Sequence, residues 1–257
     1  MALRRSANGR PSWKSRPLEP HQALGLGPGA PRLTGRAAMV SPAPPSELKP
    51  RAPRLYIVTP PVNDAHRLAA SLEAVLDAGD VAAVLLRSAA NDEALIRRHV
   101  DTIAPLAQRA GAALLIEAMP ELASHTAADG AHVGDLSGLS AALKVLKPDR
   151  IVGAGGLRTR HDAMVAGEMG ADYVMFGEPD ATGRRPSVTA LIERVAWWAE
   201  LFELPCVGYA TELDEVSQLA AAGADFVAAG DLVWHDPDGP ASGLRALAAR
   251  LGTRETV

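Results

Sequence analysis

Arg87, Glu117, Asp135, Glu178 and Asp231 are the side chains of this sequence best placed to do chemistry, together with the turn Gly153-Ala154-Gly155-Gly156 and the glycine at position 230. An arginine offers a planar fork of donors that suits phosphate or pyrophosphate. Four carboxylates without a nearby lysine could hold a hard cation such as Mg2+, which takes oxygen ligands and often bridges to a substrate phosphate. Glycine-rich turns let backbone N–H groups approach an anion, the other half of a phosphate site. Beyond residue 54 the only lysines are Lys144 and Lys147. Both fall between the fourth and fifth strand-like runs, on the side expected to face away from these groups. Schiff-base chemistry, which needs a lysine amine in the pocket, is therefore disfavoured.

Such residues act together only if the chain gathers them, and a repeat indicates how it does so. Four times a helix-like stretch ends on a small residue, an aspartate follows, and a short apolar run begins: Ala78-Gly79-Asp80, Ala127-Ala128-Asp129, Gly170-Ala171-Asp172 and Gly223-Ala224-Asp225. Glycine is favoured where a helix ends in a left-handed turn, so the recurrence marks helix-to-strand junctions. Counting outward gives eight strand-like runs, at 55–59, 82–86, 112–116, 130–133, 150–153, 173–177, 206–209 and 226–229, spaced by roughly 25 residues. Most are apolar throughout, as expected of parallel strands covered on both faces. Apolar residues at helical spacing occupy 64–77, 92–109, 159–169, 188–202 and 213–222. Trp197 and Trp198, with Leu191, Val195 and Leu201, form a packing face of one of these helices. In the third unit Pro120 leaves room only for a short helix.

Eight βα units in succession predict an α/β chain folded as a single (β/α)8 TIM barrel over 55–251, with 252–257 a tail; a doubly wound open sheet is the rival. In a barrel, chemistry is confined to the carboxyl ends of the strands. Those positions are Thr59, Arg87, Glu117, 132–135, 153–156, 177–180, 209–211, Gly230 and Asp231. His132 lies within a strand, where a hydrogen-bonded core histidine is the plain alternative to a ligand. Residues 235–239, His-Asp-Pro-Asp-Gly, read as a turn closing the site.

Hydrophobic residues make up 47% of the chain and charged residues 22%, which allows a large core, and no apolar run nears the length of a bilayer span. The single cysteine, Cys206, falls in a predicted strand, as a buried thiol in a reducing, cytoplasmic setting. The first 54 residues differ: ten Lys or Arg stand against Glu19 and Glu47, a net +8 that leaves −12 for the remainder. With many Pro, Gly and Ser and no periodicity, this segment reads as a disordered basic extension, or as sequence upstream of a start at Met39. Neither a nucleic-acid nor a membrane partner is expected, because the ordered part is acidic and its basic residues are not interleaved with aromatics.

The runs Leu55-Tyr56-Ile57-Val58-Thr59, Val84-Leu85-Leu86-Arg87, Asp129-Gly130-Ala131-His132-Val133-Gly134 and Gly170-Ala171-Asp172-Tyr173-Val174-Met175-Phe176-Gly177 resemble thiamine phosphate synthase. Leu204-Pro205-Cys206-Val207 and Gly223-Ala224-Asp225-Phe226-Val227-Ala228 continue the likeness to about Leu251. The resemblance implies a small barrel that joins a hydroxymethylpyrimidine pyrophosphate to a thiazole phosphate and releases pyrophosphate with Mg2+. It implies Arg87 as an anion clamp and Asp135 as a metal ligand, with Glu117 in place of a missing partner. Thr59, His132, Gly153, Gly155, Gly156, Gly177, Thr211, Gly230 and Asp231 would line the small phosphorylated ligand. Arg184 or Arg185 would supply the charge of a lysine absent from the loop after the sixth strand.

Several family positions are altered. Leu85 and Ala89 stand where the family has Gln and Lys, Glu117-Ala118-Met119 replaces Asn-Asp-Arg, and Ala210-Thr211 replaces a double-glycine phosphate cradle. A barrel that binds a phosphorylated ligand or a partner without turnover is therefore the alternative to an active transferase.

Overall fold

The computed structural model describes residues 52–89, 92–180 and 182–252, so the expected basic extension lies outside the described residues, except for its last three positions. Eight parallel strands close into a barrel in sequence order: β1 (Arg54–Val58), β2 (Val81–Leu86), β3 (Ala113–Glu117), β4 (Gly130–Val133), β5 (Ile151–Ala154), β6 (Tyr173–Phe176), β7 (Cys206–Ala210) and β8 (Phe226–Ala229). β1 pairs with β8 over Arg54↔Phe226 to Ile57↔Ala229, which excludes the open sheet. Each expected strand is present within a residue or two of its expected bounds. Arg54, counted above with the basic extension, is the first residue of β1.

Helices follow the strands: α1 (Ala65–Asp77), α2 (Glu93–Arg109), α3 (Pro120–Ser124), α4 (Leu136–Leu146), α5 (Arg160–Met169), α6 (Val188–Leu201), α7 (Leu213–Ala221), α8 (Asp231–Trp234) and α9 (Pro240–Gly252). α3 is the short helix that Pro120 permits. α4 was not expected, because Ser137, Gly138 and Ser140 weaken its helical pattern; Asp135 starts it as the N-cap.

Because side chains alternate along a strand, closure sorts them into two apolar cores. Leu55, Ile57, Val84, Leu86, Val174 and Phe176 face outward against the helices, where Trp198 also packs and donates from Nε1 to the Leu204 carbonyl. Tyr56, Val58, Ala83, Leu85, Leu115, Ile151, Tyr173, Met175, Val207 and Ala228 fill the barrel. Cys206 is on the outward set, and burial pushes its thiol up to about 12.

The four repeated aspartates close the amino-terminal face. Asp80 takes two bonds from the Arg54 guanidinium of β1, at 2.8 and 2.7 Å. Asp129 accepts from Leu114 N of β3, Asp172 from Val152 N of β5 and Asp225 from Cys206 N of β7. Each carboxylate therefore holds the first residues of the preceding strand. The glycine preceding it is left-handed at Gly170 (φ 100°) and Gly223 (φ 94°), but not at Gly79, which is instead tucked against Leu244. Asp172 is buried and also pairs with Lys147. Replacing it by Ala strands an ammonium and a backbone donor, so Asp172→Ala is expected to lower the unfolding free energy by about 2–4 kcal/mol in urea titrations. Asp80→Ala, whose carboxylate is 72% exposed, is expected to cost under about 1 kcal/mol.

On α2, His99 is buried with Nδ1 unpartnered. Burial lowers its pKa, with Arg98 acting in the same sense and a backbone bond to Asn63 and the charge of Asp64 opposing. A histidine depressed in the folded state contributes stability above its unfolded value, near 6.5, that is lost as pH falls through the folded value. The urea midpoint is expected to drop between pH 7.5 and 5.5, and the drop to shrink in His99→Gln.

Candidate active site

The inward residues continue upward by the same alternation into the carboxyl-terminal mouth. Leu85 leads to Arg87, Leu115 to Glu117, Val207 to Tyr209 and Thr211, and Ala228 to Gly230. Register places His132 of β4 level with Glu117 and with Gly153 of β5. All three tyrosines of the chain, Tyr56, Tyr173 and Tyr209, lie in or against the interior core.

A chain of hydrogen bonds rises through this interior. Tyr56 Oη is 2.9 Å from Tyr173 Oη, Tyr173 Oη is 2.9 Å from His132 Nδ1, and His132 Nε2 is 2.9 Å from Glu178 Oε1. The other carboxylate oxygen of Glu178 accepts from Gly156 N at 3.0 Å. An ionised carboxylate only accepts, so with a neutral imidazole His132 donates from Nε2 and accepts at Nδ1 from Tyr173. Tyr173 in turn accepts from Tyr56. Burial is the largest cause raising the pKa of both phenols, which keeps them neutral. His132 is thus the hydrogen-bonded core histidine that was one of its two readings, with one nitrogen directed at the mouth through Glu178.

This chain explains the glycines of β5. A Cβ at Gly153 would lie 2.0 Å from Cζ of Tyr173, and one at Gly155 would lie 2.0 Å from Oε2 of Glu178 and 2.6 Å from Nε2 of His132. These glycines, expected to let backbone approach a phosphate, make room for the chain's own side chains. The Gly156 turn (φ 62°) does receive an anion, and that anion is Glu178. Gly177 (φ 91°) lets Leu191 of α6 close against the end of β6. Gly230 gives room to the Tyr209 hydroxyl, which a Cβ would approach to 2.8 Å.

The remaining expected residues divide into two sets. Arg87 is partly exposed in the mouth, its Nε 3.3 Å from the Glu117 carboxylate. Thr59 is buried, and its hydroxyl accepts from Arg87 N, so it fixes the end of β2 rather than facing the mouth. Arg185 is committed elsewhere: Nη1 meets both oxygens of Glu215, at 3.1 and 2.9 Å, and the Thr211 hydroxyl, while Nη2 donates to the Tyr209 carbonyl. Glu215 also accepts from Thr211 N at 2.7 Å. Arg184 is exposed and bonded to Thr182. Asp180 organises that loop, its pKa pulled down to about 2 chiefly by the Thr182 hydroxyl.

Asp135 caps α4: Oδ1 accepts from Gly138 N at 2.7 Å and from the Ser137 hydroxyl at 2.6 Å, and these bonds hold its pKa down. Asp231 is exposed in the first turn of α8. It adds to burial in raising the pKa of Tyr209. Among the described residues no three His, Cys, Asp or Glu side chains converge as a metal site. What remains is one carboxylate at the end of each of two adjacent strands, Glu117 and Asp135, a donor set suited to Mg2+ only when substrate oxygens complete its shell.

Ala118 is the one non-glycine among the described residues with positive φ, 56°. Asn and Asp tolerate that left-handed conformation better than Ala.

Three partners were missed from the sequence: Tyr56, Tyr173 and Glu215. The confinement of every tyrosine to inward strand positions was the available signal for the first two. Nothing local marks Glu215, whose carboxylate is drawn into the mouth wall by an arginine 30 residues away.

A family described as thiamine monophosphate synthase matches residues 55–232. The thiamine-phosphate synthase of Rhodospirillum centenum is 44% identical over 193 residues, covering 74% of this chain and 93% of the relative. That of Hyphomonas neptunium is 38% identical over 209 residues, covering 78% and 94%. Among solved structures, thiamine phosphate pyrophosphorylase from Pyrococcus furiosus superposes with a TM-score of 0.65 at 20% identity, covering 77% of this chain and 95% of its own, a likeness of fold. No helix among the described residues is long and apolar enough to cross a membrane.

The interior chain carries its own test. Tyr173→Phe leaves His132 Nδ1 without a donor and Tyr56 without an acceptor in a dry site, and is expected to cost about 1–3 kcal/mol in chemical denaturation. Tyr56→Phe, which removes only the outermost donor, is expected to cost less.

Proposed function

Since this chain belongs to the thiamine monophosphate synthase family, we propose that it is a transferase of thiamine biosynthesis that joins hydroxymethylpyrimidine pyrophosphate to a thiazole phosphate and expels pyrophosphate. The observation that carries this reading is the family match over residues 55–232, a span that takes in all eight strands, together with relatives named thiamine-phosphate synthase. The mouth supports it with a retained cation and a held carboxylate.

Arg87 is the group for the leaving pyrophosphate. Its guanidinium sits at the strand end, and charge-assisted bonds from a planar fork match the developing negative charge. Glu117 beside it orients the side chain. Glu178 faces the opposite problem: departure of pyrophosphate leaves a cationic pyrimidine methylene. A carboxylate fixed by His132 and Gly156 N stabilises that cation without having to reorganise. The apolar interior beneath, closed by Tyr56 and Tyr173, keeps water from below the reacting carbon. Mg2+ would be held by Glu117 and by the Asp135 oxygen that does not cap α4, together with pyrophosphate oxygens, and would neutralise charge on the leaving group. We place the reaction in the cytoplasm, where Cys206 stays a thiol.

A second reading, a barrel that binds a phosphorylated ligand without turnover, draws on two observations: the described mouth has no lysine, and Arg185 is tied to Glu215. Both precursors with Mg2+ separate the two, since formation of thiamine phosphate by the purified chain upholds the synthase, and its absence beside an active relative removes it. Arg87→Ala is expected to weaken pyrophosphate binding by about 1.5–3 kcal/mol, roughly 10- to 150-fold, in calorimetric titration. An unchanged affinity would refute the clamp.

A further inference from the structure

The hydrogen-bond chain beneath the mouth has a direction, and its lower end sets it. Tyr56 has a single hydrogen-bond partner among the described residues, the Tyr173 hydroxyl. Around the two rings lie Ala83, Leu115, Ile151, Val207 and Phe226, side chains that accept nothing, and so apolar a space stays dry. A buried O–H without an acceptor is costly, so Tyr56 donates to Tyr173. Tyr173 in turn has a hydrogen for His132 Nδ1, 2.9 Å away, and its ring lies within 15° of parallel to the imidazole. Hydrogen bonds in series polarise one another, so each donor strengthens the next toward Glu178.

That direction matters because of the charges around His132. Glu178 reaches it from beyond the end of β6, and Glu117 stands level with it on β3, with Arg87 of β2 beside Glu117. From β5 it meets Gly155, and from β6 Tyr173, with Tyr56 of β1 behind. Two carboxylates attract a second proton to the imidazole, and the place for it is Nδ1, where Tyr173 donates. An imidazolium beside Glu178 cancels the charge of the carboxylate, whereas a neutral imidazole leaves it whole.

We propose that Tyr173, backed by Tyr56, is a positioning residue for the transfer: it holds His132 as the neutral tautomer protonated on Nε2, so that Glu178 keeps a full negative charge for the cationic pyrimidine. The inference rests on the synthase reading above. Neither tyrosine touches the substrate. Both act from below, through the imidazole, on the one carboxylate of the mouth that is fixed by two donors, His132 Nε2 and Gly156 N.

Nitrogen NMR of the full chain labelled at histidine reads the tautomer without substrate, with the His132 signals identified by their loss in His132→Asn. Near pH 7 the wild type is expected to show a protonated Nε2 and a bare Nδ1; the opposite tautomer, or an imidazolium, overturns the proposal. In Tyr173→Phe the expected form near pH 7 is the imidazolium, reverting to neutral near pH 9. Turnover of hydroxymethylpyrimidine pyrophosphate and thiazole phosphate with Mg2+ is expected to follow: kcat of Tyr173→Phe falls about tenfold near pH 7, KM changes less than about threefold, and the ratio to wild type recovers toward pH 9. A deficit that is the same at every pH, or that lies in KM, marks a merely structural role and overturns the proposal. If Tyr173→Phe does not fold, Tyr56→Phe decides, with a kcat deficit of about two- to threefold near pH 7 that vanishes near pH 9; a deficit independent of pH, or none, overturns it. If the wild type makes no thiamine phosphate, the synthase reading falls, and the nitrogen spectra alone judge Tyr173: a tautomer lost in Tyr173→Phe upholds its assignment, and one retained overturns it.

Discussion

The seam between β1 and β8 is the constraint on which everything else depends. Once those two strands pair, no edge remains, every strand has two neighbours, and the alternation of side chains becomes a strict division between inside and outside. A slip of one residue in any strand would exchange its outward and inward sets. The four aspartates at the amino-terminal face guard against that slip, since three of them bind a backbone N–H near the start of the preceding strand. Register at the bottom therefore sets which groups reach the top, and Arg87, Glu117, Tyr209 and Gly230 are inward because Leu85, Leu115, Val207 and Ala228 are.

Inside that frame the mouth is organised around internal anions. Glu178 occupies the Gly156 turn, Glu215 occupies Thr211 N, and Glu117 sits on Arg87. Each satisfies a group that a ligand's phosphate could otherwise claim. The arrangement favours a reaction in which negative charge leaves and positive charge is held. It is also consistent with the acidic balance of the barrel, which carries most of the carboxylates of the chain.

The framework was legible in the sequence because its signals are local and repeated. Helix ends, apolar runs and the small-residue–aspartate pairs gave eight units in order, and the structure has them in that order. Helix α4 was not legible, because its N-cap Asp135 looked like a ligand and its serines and glycine blurred the pattern. The glycines of β5 were correctly placed at the strand end, but their purpose depends on Tyr173 and Glu178, 20 or more residues away. Arg185, expected with Arg184 to supply the charge of an absent lysine, is tied down for the same reason: its partner Glu215 lies 30 residues on, in α7. Position along a strand can be counted, whereas which side chain fills the space of a missing Cβ is a property of packing in three dimensions.

Gly153 with Tyr173, Gly155 with Glu178, and Gly230 with Tyr209 are each a void and its occupant. Neither member can change alone: a methyl group at 153 collides with the ring, and a smaller residue at 173 leaves a hole beneath the mouth. Drift at these sites has to proceed by compensated double replacement. Related barrels are thus expected to show correlated substitution across each pair, so that a relative carrying a bulkier residue at the β5 glycines will have remodelled the β6 side of its pocket as well.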